Sequence, residues 1–336
     1  MAQEADLRVC FIEAHEHKRL AELLIPNLRR LLLDLDRLGR LATEVKRGLR
    51  VLKSFLSSVK FTYGEAELAL DIDPESGSAD SGDLDTDLSE LFAAIGLAAK
   101  ARDSAIALFI DEIQYLNARD LGALIMALHR CAQEQLPVLL IAAGLPNMVG
   151  LAGRAKSYAE RMFDFPELGA LQREDADRAV VVPASQQAVT VSRGALDAIH
   201  NFTRGYPYFV QEWAYHAWNR ASGGSIEEAD VVAANPLAQQ RLDESFFRVR
   251  FDRLTPREKN YLRAMAKLGP GPVPGSEIAD VLGVKATAVA PLRNGLIGKG
   301  MIYSPHRGGT AFTVPMFDEY LRRTLPDWQP LLRITG

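Results

Sequence analysis

The chain has 336 residues, enough for two or three domains. Hydrophobic residues make up 48%, which supports a sizeable buried core and argues against global disorder. A net charge of -4, from 39 basic and 43 acidic residues, excludes an overall electrostatic bias toward nucleic acid and leaves only local patches for such a role.

In chain order, LRVCFIEA (7–14) is an apolar run that reads as a buried strand. A helical pattern then covers roughly 16–57, with Leu20, Leu24, Leu28, Leu31, Leu35 and Leu38 at three- and four-residue steps. Pro26 is expected to kink or restart that helix. KFTYG and ELALDID alternate around a Gly-Glu turn and predict a hairpin. PESGSADSGDLDTD (74–87) is acidic and rich in Ser and Gly, which predicts an exposed, mobile loop. DLSELFAAIGLAAKARD follows as a helix opened by Asp87 and Glu90, then SAIALFIDE as a strand, ARDLGALIMALHRCAQEQ as a helix and LPVLLIAAGLPN as a strand. Continuous apolar strands joined by a helix at this spacing imply a parallel sheet with a right-handed crossover. From about 190 onward the pattern is helical. Two helices split at Gly205-Tyr206-Pro207, a further pair follows, and a Thr-Pro cap opens TPREKNYLRAMAKLG.

The chemistry centres on Asp111 and Glu112, which end the strand ALFIDE. Ligands of open parallel sheets bind beyond the carboxyl ends of the strands. An aspartate there suits hydrated Mg2+, and a glutamate beside it suits the orientation of an attacking water. The plainer reading of Asp-Glu is a strand end with a helix cap.

ALFIDEIQYL, LLIAAGLPN, AERMFDFPEL and GYPYFVQEWAYHAW, in that order, resemble the AAA+ and STAND ATPases, akin to the origin-recognition type, over about residues 1–245. In that resemblance ALFIDEIQYL is similar to the Walker B strand and LLIAAGLPN to the sensor 1 strand and its loop. The resemblance implies ATP and Mg2+ as cofactors and catalytic roles for Asp111 and Glu112. It makes Arg161 an arginine finger toward a neighbouring subunit, against a surface ion pair with Glu160. Asn147 becomes a polar sensor, against a plain helix cap, and Pro207 an adenine neighbour, against a helix-start proline.

No phosphate loop accompanies these segments. GxxxxGK[ST] is absent, and the single Gly-Lys, in GLIGKGMI (295–302), has the wrong spacing and Gly300 where a hydroxyl is needed. In the family's order LRVCFIEA resembles the strand after the P-loop helix, and only six residues precede it, where a strand-loop-helix takes on the order of 25–30. An N-terminally truncated chain is the favoured expectation, and a degenerate scaffold without ATP the alternative. Loss of a strand and helix leaves an open edge, so poor solubility or self-association is also expected.

Residues from Thr255 to Arg323 resemble a winged helix-turn-helix, with SEIADVLG and KATAVAPLRNGLIGKG as its helices and MIYSP and TAFTVP as wing strands. Lys285, Arg293, Lys299, His306 and Arg307 are candidates for phosphate contacts on DNA. The second helix lacks an Arg/Asn/Gln row for reading base edges, so a nonspecific DNA contact or a protein-facing role fits as well.

The expected fold is therefore α/β, an incomplete P-loop NTPase (AAA+) sheet over 1–188 with an acidic loop at 73–87. A helical lid over 189–250 and a winged helix over 251–336 complete it. The expected function is an ATP-binding or ATP-hydrolysing switch, and the alternative is a non-enzymatic DNA-binding or adaptor protein. Cys10 and Cys131 form no CxxC pair, which argues against a disulfide scaffold or zinc site and fits a cytoplasmic setting. No apolar run is long enough for a membrane helix, and the N-terminus lacks the basic and apolar regions of a signal peptide. The histidines show no metal spacing, and Trp213, Tyr215 and Trp218 read as core packing.

Overall fold

A computed structural model of the protein describes residues 7–36, 43–58, 72–305 and 308–330. The chain is mixed α/β and divides into two compact units, residues 1–165 and 166–336. Among the described residues no helix is long and apolar enough to cross a membrane.

The first unit holds a three-stranded parallel sheet in the order β1 (Leu7–Glu13), β2 (Ala105–Asp111), β3 (Val138–Ala142). Between β1 and β2 the chain forms α1 (Leu20–Asp36), α2 (Thr43–Ser58) and α3 (Leu84–Lys100). Between β2 and β3 it forms a 3-10 turn (Ile113–Tyr115) and α4 (Ala118–Gln133), and after β3 come the short helices α5 (Met148–Ala155) and α6 (Ala159–Met162). Alternate strand residues face opposite sides. Cys10, Ile12, Ile106, Leu108 and Ile110 pack into one core with α1, α3 and α4, while Phe11, Leu139 and Ile141 on the other side stay exposed.

Three expectations change here. Pro26 does not restart the helix. It lies inside α1, and the Asn27 side-chain amide donates to the Leu23 carbonyl one turn back. The next described helix, α2, begins at Thr43. The acidic stretch after residue 73 is fastened rather than loose. Arg47 and Arg50 both hold Glu75, and buried Asp87 accepts from the Ser81 N–H and hydroxyl, the Gly82 N–H and the Ser58 hydroxyl. The helix α3 starts at Leu84, capped by Asp83 through the Thr86 N–H, so Asp87 lies inside it. The hairpin expected over 60–73 lies almost wholly outside the described residues.

The second unit is helical, with small sheets. Its elements are α7 (Arg173–Gln186), β4 (Thr190–Val191), α8 (Arg193–Thr203), α9 (Pro207–Arg220), β5 (Ser225–Ile226) and α10 (Glu228–Leu242). A π-turn at Asp243–Phe247 leads into α11 (Arg248–Asp252). Then follow α12 (Pro256–Leu268), β6 (Val273–Pro274), α13 (Gly275–Leu282), α14 (Ala286–Gly298), β7 (Ile302–Tyr303), β8 (Gly309–Phe312) and α15 (Phe317–Thr324). Strands β6 and β7 both pair antiparallel with β8. Thr255 and Glu258 form a capping box on α12, as its Thr-Pro start predicts. Of the aromatic stripe on α9, only Trp213 is core. Its indole N–H donates to Asn235, while Tyr215 and Trp218 are exposed.

Candidate functional site

Asp111 ends the middle strand of the parallel sheet, at its carboxyl edge, and is exposed. Register places Glu13, the last residue of β1, directly beside it. The Asp111 Oδ1 accepts from the Glu112 N–H at 2.8 Å, and Oδ2 has no hydrogen-bond partner among the described residues. Glu112 has left-handed backbone angles, φ 53° and ψ 35°. That conformation costs a non-glycine residue about 1 kcal/mol, and such strain concentrates at functional positions.

Gln114 clamps this corner. Its amide Nε2 donates to the Glu112 carboxylate, and its Oε1 accepts from the Leu145 N–H at 3.2 Å. The carboxylate after β2 is thereby tied to the loop after β3. The clamp runs against Gly144, where any Cβ would lie 2.7 Å from Gln114 Oε1. Backbone bonds from Ile113 N–H to Ala143 O and from Ala143 N–H to Ile110 O hold the two loops together. Asn147 stands at the start of α5 without capping it, and its buried Oδ1 has no hydrogen-bond partner.

Among the described residues no group of three or more His, Cys, Asp or Glu side chains is arranged to hold a metal. Glu13, Asp111 and Glu112 thus do not enclose an ion. The Oδ2 of Asp111 fits the lesser demand of Mg2+, one or two carboxylates with the remaining ligands from water and phosphate. A cavity of about 280 Å³ lies away from this pair, lined by Arg19, Arg119, Asn117 and the buried carboxylates Asp87 and Asp120. Asp120 accepts the Leu20 N–H and Asp87 four donors of its own unit, so both have local structural work.

Arg161 lies on α6, exposed, with no ion pair among the described residues. In the second unit Pro207 opens α9 at its first position. Gly205 before it has φ +73°, and a Cβ there would stand 2.5 Å from the Leu171 carbonyl oxygen, so this turn requires glycine. Lys285 is exposed at the start of α14. Arg293 is engaged inside its own domain, donating to the Thr310 and Ser304 hydroxyls and the Gly309 carbonyl. Lys299 pairs with Glu258 at 2.8 Å. His306 and Arg307 lie outside the described residues.

Sequence reasoning missed Glu13 and Gln114. Register brings Glu13 to the site, and register is not written in a strand's own residues. Gln114 had a visible signal, its place two residues after Glu112, but its second partner is 31 positions away.

A family model described as a domain of unknown function (DUF8462) matches residues 244–321, from the π-turn to α15. No curated protein matches the chain. Similar solved structures include the Thermotoga maritima RuvB Holliday junction branch migration motor, 18% identical, covering 74% of this chain and 86% of that chain, with a TM-score of 0.38. Cdc6p from Pyrobaculum aerophilum is 11% identical, with 96% and 80% coverage and a TM-score of 0.38. The Aeropyrum pernix ORC1 protein in complex with DNA is 14% identical, with 95% and 86% coverage and a TM-score of 0.37. At scores this low the likeness is loose.

Proposed function

We propose that the first unit supplies the magnesium- and water-facing half of an ATP site in an AAA+ or STAND-type switch module. The observation that carries this reading is Glu112, strained in its backbone, fixed by Gln114 and adjacent to Asp111 at the carboxyl edge of the middle strand. Left-handed residues also close ordinary turns of this chain, such as Asp103 and Gln135, so it is the clamp from Gln114 and the place at the strand's carboxyl edge that support the reading.

In this reading Asp111 holds the water shell of Mg2+ through Oδ2. The ion, when bound with ATP, neutralises phosphate charge. Glu112 orients the attacking water, and Gln114 sets where its carboxylate stands. Asn147 Oδ1 offers an unpartnered acceptor in the loop after β3, suited to a sensor of ligand or water. Arg161, exposed and without an ion pair among the described residues, has the freedom to reach a neighbouring subunit. Pro207, by resemblance, lies near the adenine.

The helices α12, α13 and α14 with the sheet β6–β8–β7 support a winged-helix reading of the C-terminal region. Within it Lys285 and Arg307 are the candidate DNA contacts. Arg293 makes its bonds to the wing hairpin, so it contributes to holding the wing. Nucleotide state then biases the positions of lid and winged helix as a switch.

The test is equilibrium binding of labelled ATP to the protein purified from its own cells. The reading expects magnesium-dependent binding that Asp111→Ala weakens at least tenfold. Binding of DNA without any nucleotide affinity would instead support a non-enzymatic scaffold.

A further inference from the structure

Gln114 joins two loops that carry different parts of the candidate site, through groups that few side chains possess. A carboxylate only accepts hydrogen bonds, and a backbone N–H only donates one. A bridge between the two needs a donor and an acceptor on one short, rigid group, and a primary amide has both. Gln114 uses them in that sense. Its Nε2 donates to Oε2 of Glu112, and its Oε1 accepts from the Leu145 N–H at 3.2 Å. A glutamate at 114 would set two carboxylates against each other, and a methionine of like length would make neither bond. The other oxygen of Glu112, Oε1, receives no hydrogen bond among the described residues, so the clamp fixes one end of the carboxylate and leaves the other for water.

The far end of the clamp is a single stiff turn. Met148 N–H donates to the Leu145 carbonyl at 3.0 Å and closes Leu145-Pro146-Asn147-Met148. Proline in the second place, and Asn147 at φ -73° and ψ -4° in the third, are the pattern of a type I turn. Ala143 is tied on both sides. Its N–H donates to the Ile110 carbonyl at 2.9 Å, and its carbonyl accepts from the Ile113 N–H at 3.1 Å. Gly144 is therefore the one link between a fixed residue and the turn. A Cβ there would stand 2.7 Å from Gln114 Oε1, 3.0 Å from Ile113 Cγ2 and 3.1 Å from Met148 Cγ. Gly144 has no room for a side chain while the clamp is closed.

Asn147 rides on the same turn as the Leu145 N–H. Its Oδ1 is buried with no hydrogen-bond partner, and a buried acceptor left so draws a donor. A water or a hydroxyl that reaches Oδ1 acts on the turn, and through the turn on Gln114.

We propose that Gln114 is a positioning residue through which the turn at 145–148 governs Glu112. With the turn seated, the clamp aims the Glu112 carboxylate. With the turn displaced, the carboxylate swings free and idles. The state of Asn147 and the aim of Glu112 are thereby linked. This deepens the ATP-site reading and rests on it for the consequence in catalysis.

The experiment follows the carbon NMR signal of the Glu112 carboxyl in the full chain without nucleotide, assigned by its loss in Glu112→Gln. Gln114→Met removes both bonds at constant length. Gly144→Ala pushes on the clamp from its far end. Both should shift the signal in the same direction, and the double variant should shift it no further than Gln114→Met alone. An unmoved signal in Gly144→Ala, or additive shifts in the double variant, would overturn the proposal. Gln114→Met supplies a second reading that does not need Gly144→Ala to fold. The Leu145 amide should exchange at least about tenfold faster than in the unaltered protein, and an unchanged rate would overturn the proposal equally. In ATP turnover both variants should lower kcat by about ten- to a hundredfold with KM little changed. A raised KM at unchanged kcat would overturn the positioning role. No turnover in the unaltered protein would sink the ATP reading, and the carboxyl signal would still decide the coupling.

Discussion

Glu112 has a backbone suited to glycine and, in the proposed function, a side chain that orients water, and the two can be separated. Glu112→Gly removes the penalty of φ 53°, so stability to denaturant should stay level or rise by up to about 1 kcal/mol. ATP turnover by the same variant should fall at least a hundredfold. A loss of stability in place of a loss of turnover would make the residue structural. The cysteines give a second residue-scale expectation. Burial pushes the thiols of Cys10 and Cys131 up to about 12, so both stay protonated and inert at neutral pH. A thiol reagent should label neither in the folded protein and both after denaturation.

At the scale of elements, the segment from Glu75 to Asp87 is held by charge. Hydrogen bonding to Arg47, and then to Arg50, keeps the Glu75 carboxyl below its ordinary value despite partial burial. A carboxyl with a depressed folded pKa contributes stability above its unfolded value, near 4.3, and loses it as pH falls through the folded value. The protection of amides 75–82, their exchange rate relative to the base-catalysed intrinsic rate at each pH, should therefore be lower below about pH 4 than at pH 6, and protection that does not change with pH would show that the two arginines do not hold the loop. The wing offers a parallel case. Arg293→Ala removes three hydrogen bonds from α14 to the β7–β8 hairpin and should destabilise the C-terminal region by about 1–3 kcal/mol, measured by denaturant unfolding. Lys285→Ala, at an exposed position, should leave stability unchanged.

These elements also show what a sequence reveals. Strands β2 and β3 were legible as unbroken apolar runs, and α12 by its Thr-Pro-x-Glu cap. The Ser- and Gly-rich acidic stretch was not, because Asp87 is buried by donors from Ser58, Ser81 and Gly82, and the first of these lies 29 positions away. Strand β6 was missed because it is two residues long and exists only by pairing with β8. At the site, Asp111 and Glu112 were legible from their place after ALFI, and Glu13 and Gln114 were not, since both act through partners that folding brings near.

At the scale of the whole molecule, one unit carries a parallel sheet with a carboxylate pair at its edge, and the other is helical and closes with α12 to α15 and a small antiparallel sheet. The central claim is that the carboxylate pair hydrolyses ATP. Steady-state ATP turnover by the protein from its own cells, measured beside Glu112→Gln, tests this most directly. The substitution keeps the shape of the side chain and its contact with Gln114 while removing the charge that orients water. The account predicts turnover that falls at least a hundredfold in Glu112→Gln while ATP stays bound, a loss of about 3 kcal/mol of transition-state stabilisation. Equal turnover in the two proteins would contradict it.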